Sequence, residues 1–158
     1  TTLFRSLRRE KMEKFYFEFE INNNDRFSKL QDFFYALKEE KAKDNIISKD
    51  SKWIGYFEED VLMKFWWPTS DELNEYAKLW KETPINERFT SPKLQHPWDF
   101  ESMIDAFSNG EYDFVSCERI SNEKGRIEFN PWSWPYSGSS AFRALIEHQG
   151  FKILSEDV

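Results

Sequence analysis

The chain of 158 residues has one cysteine, two histidines and five glycines, and no apolar run near the roughly 20 residues that cross a bilayer. Cys117 alone excludes an intramolecular disulfide framework. With no charged-then-apolar leader either, a reducing, cytoplasmic compartment is the expectation. So few histidines and cysteines leave few ways to assemble a metal site or a base that titrates near neutrality, and neither HExxH nor paired cysteines occur. No metal or cofactor is expected. No Gly-rich loop followed by lysine marks a phosphate-binding P-loop. Charged residues at 32% and a mean hydropathy of -0.77 exclude an integral membrane protein.

Aromatic residues are abundant: 16 Phe, 7 Trp and 6 Tyr, 18% of the chain. Each can bury a large apolar surface, so a sizeable core is within reach and disorder is disfavoured. The charge is uneven. Residues 1–11 (TTLFRSLRREK) carry a net +3, which leaves -10 for Met12 to Val158 within a total of -7. TTLFRS resembles translated sequencing-adapter sequence and Met12 reads as a natural start, so residues 1–11 are expected to be a non-native or disordered leader. The acidic body repels phosphate backbones, which argues against nucleic acid, and suits a basic protein partner.

Phe15, Phe17, Phe19 and Ile21 alternate with Tyr16, Glu18 and Glu20, the period-2 pattern of a half-buried strand. Asn22 to Asp25 supply a turn and an N-cap. Phe27, Leu30, Phe34 and Leu37 then recur at i, i+3, i+7 and i+10, which predicts a helix over about 25–42. Residues 44–52 read as loop, and the apolar 53–67 as one or two buried strands broken at Glu58-Glu59-Asp60. Thr69 and Glu72 fit a capping box ahead of a stripe of Leu73, Tyr76, Ala77 and Trp80. Residues 83–98 hold three prolines and read as loop. Asp99 caps a helix through Phe100, Met103, Ile104 and Phe107, closed by Asn109-Gly110 as a left-handed terminus. Tyr112–Ile120 and Arg126–Asn130 flank a hairpin turn in which Gly125 supplies positive φ. A last helix carries Phe142, Leu145 and Ile146 and stops at Gly150, before a short strand over 151–154.

These elements predict one α+β domain over 12–158, an antiparallel sheet with helices on one face, with 44–110 as an insertion. Without the insertion the order is that of a split βαβ, ferredoxin-like sandwich, although other antiparallel sheets covered by helices share it. The expected core is Phe15, Phe17, Phe19, Phe27, Leu30, Phe34, Leu37, Val115, Ile127, Phe129, Phe142, Leu145, Ile146 and Ile153. Cys117, on the same strand face as Val115, is expected to act as a small buried hydrophobe.

Three constellations could carry function. Trp132, Trp134 and Tyr136, in the run PWSWPY, together with Trp98, could stack on a ligand or a partner. Ser137, Ser139 and Ser140 at a helix start, with Arg143 one turn on, could hold an anionic group, and His96 in the proline loop would line the pocket beside them. His96, Asp99, Glu101 and His148 with the acidic triplet are the sparse material for a metal or a base. His148, near a helix C-terminus, is better read as interacting with that terminus. Glu58, Glu59 and Asp60, with Trp66 and Trp67, could instead meet Lys or Arg of a partner. Two functions follow as expectations. One is a non-enzymatic interaction module, of inhibitor or immunity type, that uses acidic and aromatic surface. The other is a small-molecule or anion-binding domain, or a small hydrolase, with an aromatic pocket near the last helix start.

Overall fold

The computed structural model describes residues 15–44, 46–48, 51–132 and 138–158. The expected leader, 1–11, lies outside them, as do Trp134, Tyr136 and Ser137. The alternating segment forms β1 (Tyr16–Glu20), with Phe17 and Phe19 buried. Asn23 Oδ1 accepts the Arg26 N–H at 3.1 Å and starts α1 (Asn24–Asp44), whose stripe Phe27, Leu30, Phe34 and Leu37 is buried. After a 3-10 turn over Ser51–Tyr56 come α2 (Glu59–Leu62), α3 (Ser70–Glu82) and α4 (Phe100–Asn109). The hairpin β2 (Tyr112–Arg119) and β3 (Lys124–Pro131) follows, then α5 (Ser140–His148) and β4 (Ile153–Asp157). Gly150, at φ 82°, ends α5 as its N–H reaches Glu147 O and the Phe151 N–H reaches Ile146 O.

The sheet order is β2-β3-β1-β4, with every neighbouring pair antiparallel. β3 therefore separates β1 from β2, and β1 separates β3 from β4, the strand order of a split βαβ. One sheet face is apolar and buried: Phe17, Phe19, Tyr112, Phe114, Cys117, Ile127 and Phe129. Against it Phe142 of α5 meets the rings of Phe17, Phe34, Phe107, Tyr112, Phe114 and Phe129, with centroids 5.1–6.4 Å away. The other face is polar. There Arg126 pairs with Glu18 and with Glu128 (3.4 Å), and its guanidinium lies 4.6 Å from the Tyr16 ring centre.

Three side chains of α1 cover the outer edge of β2. Lys38 Nζ donates to Val115 O (2.8 Å), Gln31 Nε2 donates to Cys117 O (3.0 Å), and the Cys117 N–H donates to the Tyr35 hydroxyl (3.2 Å). Backbone groups that would otherwise invite another strand are satisfied from within the chain.

Four local expectations need correction. The first is 53–67, which forms no strand beyond an isolated bridge between Trp66 and Asp99. Its buried residues are Trp53, Phe57, Val61 and Phe65, four apart, which is helical spacing. Second, a bulge between Phe114 and Ser116 shifts the parity of β2, so Cys117 shares the buried face with Tyr112 and Phe114 while Val115 is only half-buried. Phe15 and Ile153, also half-buried, pack at the core margin. Third, Gly110 is extended (φ -61°, ψ 130°), and the Tyr112 ring occupies the space its Cβ would take. Fourth, Gly125 lies within β3 opposite Phe19 and has no positive φ. A Cβ there would come within 2.7 Å of the Phe19 ring, so close approach, not turn geometry, requires glycine.

Candidate functional site

Between α1 and α4 the chain builds an aromatic lobe. The buried ladder Trp53, Phe57, Val61, Phe65 attaches it to the core: Phe57 meets Phe33 at 4.8 Å, and Phe65 meets Phe100 at 5.3 Å. Beyond that ladder the packing thins. Thr69 Oγ1 accepts the Glu72 N–H at 3.2 Å and Glu72 accepts the Thr69 N–H at 3.3 Å, a complete capping box. The helix it starts, α3, nevertheless buries none of its residues. Its Tyr76 and Trp80 lean on ordered loop groups. His96 is sandwiched 4.0 Å from Trp66 and 4.9 Å from Tyr76, Phe89 meets Trp80 at 6.1 Å, and Arg88 lies over Trp80 while donating to its carbonyl at 2.9 Å. Met63, Trp67, Leu73, Ile85 and Phe89 remain exposed, Phe89 at 82% and Met63 at 77%. Residues 58–101 carry ten acidic and five basic side chains. The lobe is therefore apolar and acidic together.

The acidic triplet is largely used inside the molecule. Arg26 Nε donates to Glu58 at 3.0 Å and the same guanidinium pairs with Asp60, tying α2 to α1, while Glu59 is exposed. Trp66 is half-buried. Trp67 stacks on Phe100 at 5.5 Å, and its indole N–H donates to Leu62 O at 2.7 Å, which fixes an exposed ring in one orientation. Trp98 is half-buried against the core. Asp99 caps α4 by accepting the Ser102 N–H at 3.1 Å, and Glu101 is exposed on the first turn. His148 donates from Nδ1 to Ala144 O at 2.7 Å and stacks 4.1 Å from Phe65.

At the start of α5, Ser139 is helical (φ -64°, ψ -26°) with no side-chain cap, and Ser140 is exposed. The Arg143 guanidinium pairs with Glu156 of β4 and lies 5.6 Å from the Phe17 ring, so it is directed to the sheet. Trp132 is half-exposed, with its indole N–H on Asp113 Oδ1 at 2.8 Å. The described members of the expected ligand pocket thus fall into three surroundings: His96 with Trp66 and Tyr76, Trp132 with Asp113, and Arg143 with Glu156. Among the described residues no three His, Cys, Asp or Glu side chains gather in reach of one metal ion. Cys117 is fully buried, and burial raises its pKa further from a reactive thiolate.

One group was not foreseen from the sequence. Lys41, near the end of α1, is only 5% exposed. Its Nζ donates to Phe107 O (2.8 Å) and Gly110 O (2.6 Å) at the end of α4. The rings of Tyr112, Phe114 and Trp132 surround the same nitrogen at 4.7, 5.4 and 5.4 Å. Burial lowers its pKa to about 8, with Asp113 pulling weakly the other way. A cleft of about 240 Å3 opens here, lined by Lys38, Lys41, Ala42, Asp113 and Phe114. The stripe Phe27, Leu30, Phe34, Leu37 continues to position 41 at the same spacing, which is the signal that this lysine would face inward.

No protein-family model, no curated protein and no solved structure matches the chain. The fold and its side-chain chemistry define a mixed α+β domain built on a four-stranded antiparallel sheet. Among the described residues, no helix is long and apolar enough to cross a membrane.

Proposed function

We propose that this chain is a protein-interaction module without catalytic activity, of inhibitor or immunity type, whose aromatic lobe receives a basic partner segment carrying apolar anchors. The carrying observation is α3, a helix with a full capping box and no buried residue, which exposes Leu73 and is flanked by exposed Met63, Ile85 and Phe89. Large exposed apolar side chains grouped on one lobe and set among carboxylates are what a hot spot with a charged rim requires. The partner's charge follows from that rim: Asp71, Glu72, Glu75 and Glu101 favour Lys and Arg. Trp67, held by its indole hydrogen bond, offers a rigid anchor of low conformational entropy.

The test is affinity capture from the cells that express the protein, run with the unmodified chain beside Met63→Ser and Phe89→Ser. Both positions are so exposed that melting should stay within about 0.5 kcal/mol of the parent. A basic protein retained by the parent, lost with these variants and weakened by salt supports the reading. Retention that ignores both substitutions and ionic strength refutes it.

A further inference from the structure

We propose that Lys41 is a covalent capture site for small aldehydes, formed as a Schiff base in the cleft between α1 and β2. Four observations converge there. The lysine is only 5% exposed, its Nζ is held by two carbonyls, the residue lines a cleft of about 240 Å3, and Asp113 lines the same cleft. Of the four tetrahedral positions about Nζ, one is Cε and two point at the carbonyls of Phe107 and Gly110. In the neutral amine the two N–H bonds satisfy those carbonyls, and the lone pair takes the remaining position. This is how a desolvated lysine becomes a nucleophile.

The chemistry balances with one proton from the solvent that enters the cleft. The Nζ lone pair adds to the carbonyl carbon, a C–N bond forms, and the C=O π electrons move to oxygen. Asp113, acting through a water in the shared cleft, passes the proton released from nitrogen to that oxygen, which gives the carbinolamine hydroxyl. A second proton from solvent, equal to the one the lysine gave up in becoming neutral, turns the hydroxyl into water. The C–O bond breaks, water leaves, and a C=N bond remains. The protonated imine keeps the positive charge that the rings of Tyr112, Phe114 and Trp132 already surround, and it retains one N–H for one of the two carbonyls. The volume of about 240 Å3 suits a compound of few heavy atoms, and Lys38 on the cleft wall favours one that also carries an anionic group.

The burial that fixes the amine also activates it. With a pKa of about 8, roughly a tenth of the Lys41 amines are neutral at pH 7, against about one in 2,500 for an ordinary lysine. The experiment incubates the folded chain with glyoxylate, and separately with propanal, in the presence of cyanoborohydride at pH 7, then locates the reduced adduct by peptide mass mapping. Lys41 should be labelled at least about tenfold faster than exposed lysines such as Lys78, and the preference should vanish in denaturant. Glyoxylate should outpace propanal. Asp113→Asn, an exposed position whose change leaves the fold intact, should slow labelling at Lys41 alone. Adducts spread over exposed lysines with Lys41 unmodified, or an unchanged rate in Asp113→Asn, would overturn the proposal. The readout is a position in the parent chain, so it does not depend on a Lys41 variant folding.

Discussion

Replacing Lys41 by Met separates two opposing consequences of burying an amine. At neutral pH both folded and unfolded chains hold the proton, and the folded state bears the full cost of desolvating it. A pKa lowered from 10.5 to about 8 corresponds to about 3 kcal/mol. Lys41→Met removes that cost but leaves Phe107 O and Gly110 O without their donor, at about 1–3 kcal/mol each. At pH 7 the two effects oppose each other, and the variant should lie within about 3 kcal/mol of the parent in either direction. The pH dependence is the sharper measurement. Between pH 8 and 10.5 the unfolded chain binds more protons at this site than the folded chain, so the site's contribution to parental stability rises with pH across that window. Lys41→Met lacks this rise. Buried Cys117 and Tyr112, whose pKa values burial raises, lower stability in alkali in both proteins alike and cancel in the difference. Urea unfolding of both proteins at pH 7 and at pH 10 should therefore show the parent gaining about 2–3 kcal/mol on the variant. Parallel curves would mean that Lys41 titrates like a solvated lysine and that its burial carries no electrostatic cost.

Phe142→Ala should cost about 3–5 kcal/mol in chemical denaturation, toward the upper end because six surrounding rings cannot collapse into the void. A loss below about 1 kcal/mol would contradict the packing described. Gly125→Ala should cost about 1–3 kcal/mol, since its Cβ meets the buried Phe19 ring at 2.7 Å and the Phe27 ring at 3.0 Å. Gly55→Ala, with no atom within 4 Å, should stay within about 0.5 kcal/mol in the same urea titration, and equal effects would remove the steric argument.

The parts of the fold written in local periodicity were legible. The alternation in β1, the stripe in α1, and the caps at Thr69 and Asp99 each follow from a few neighbouring residues, and each stands where the pattern put it. The segment 53–67 misled because Ile54, Tyr56, Leu62 and Met63 fill the gaps between Trp53, Phe57, Val61 and Phe65, and Trp66 and Trp67 extend them, so a helical spacing looked like a continuous apolar run. The bulge in β2 has no sequence mark, since its residues are all acceptable in a regular strand. The candidate site was less legible still. Arg26 and Asp60 are far apart in sequence, and nothing local tells which carboxylate an arginine will find. Lys41 is one of several lysines near the end of α1, distinguished only by its phase along the helix.

A sheet of four strands has two ends at which further chains can join, and here α1 has closed one of them. Growth by strand addition needs both ends, because each newcomer must offer a free edge to the next. A copy that docks through β4 presents its closed β2 edge outward and stops the series. Two copies joined β4 to β4 would form an eight-stranded sheet, and a third would meet β2 edges at which the Val115 carbonyl and both Cys117 backbone groups are already bonded. Gln31, Tyr35 and Lys38 thus act as a chain terminator. They disfavour strand addition at β2, and so favour a closed pair over a fibre in any strand-mediated association of this domain.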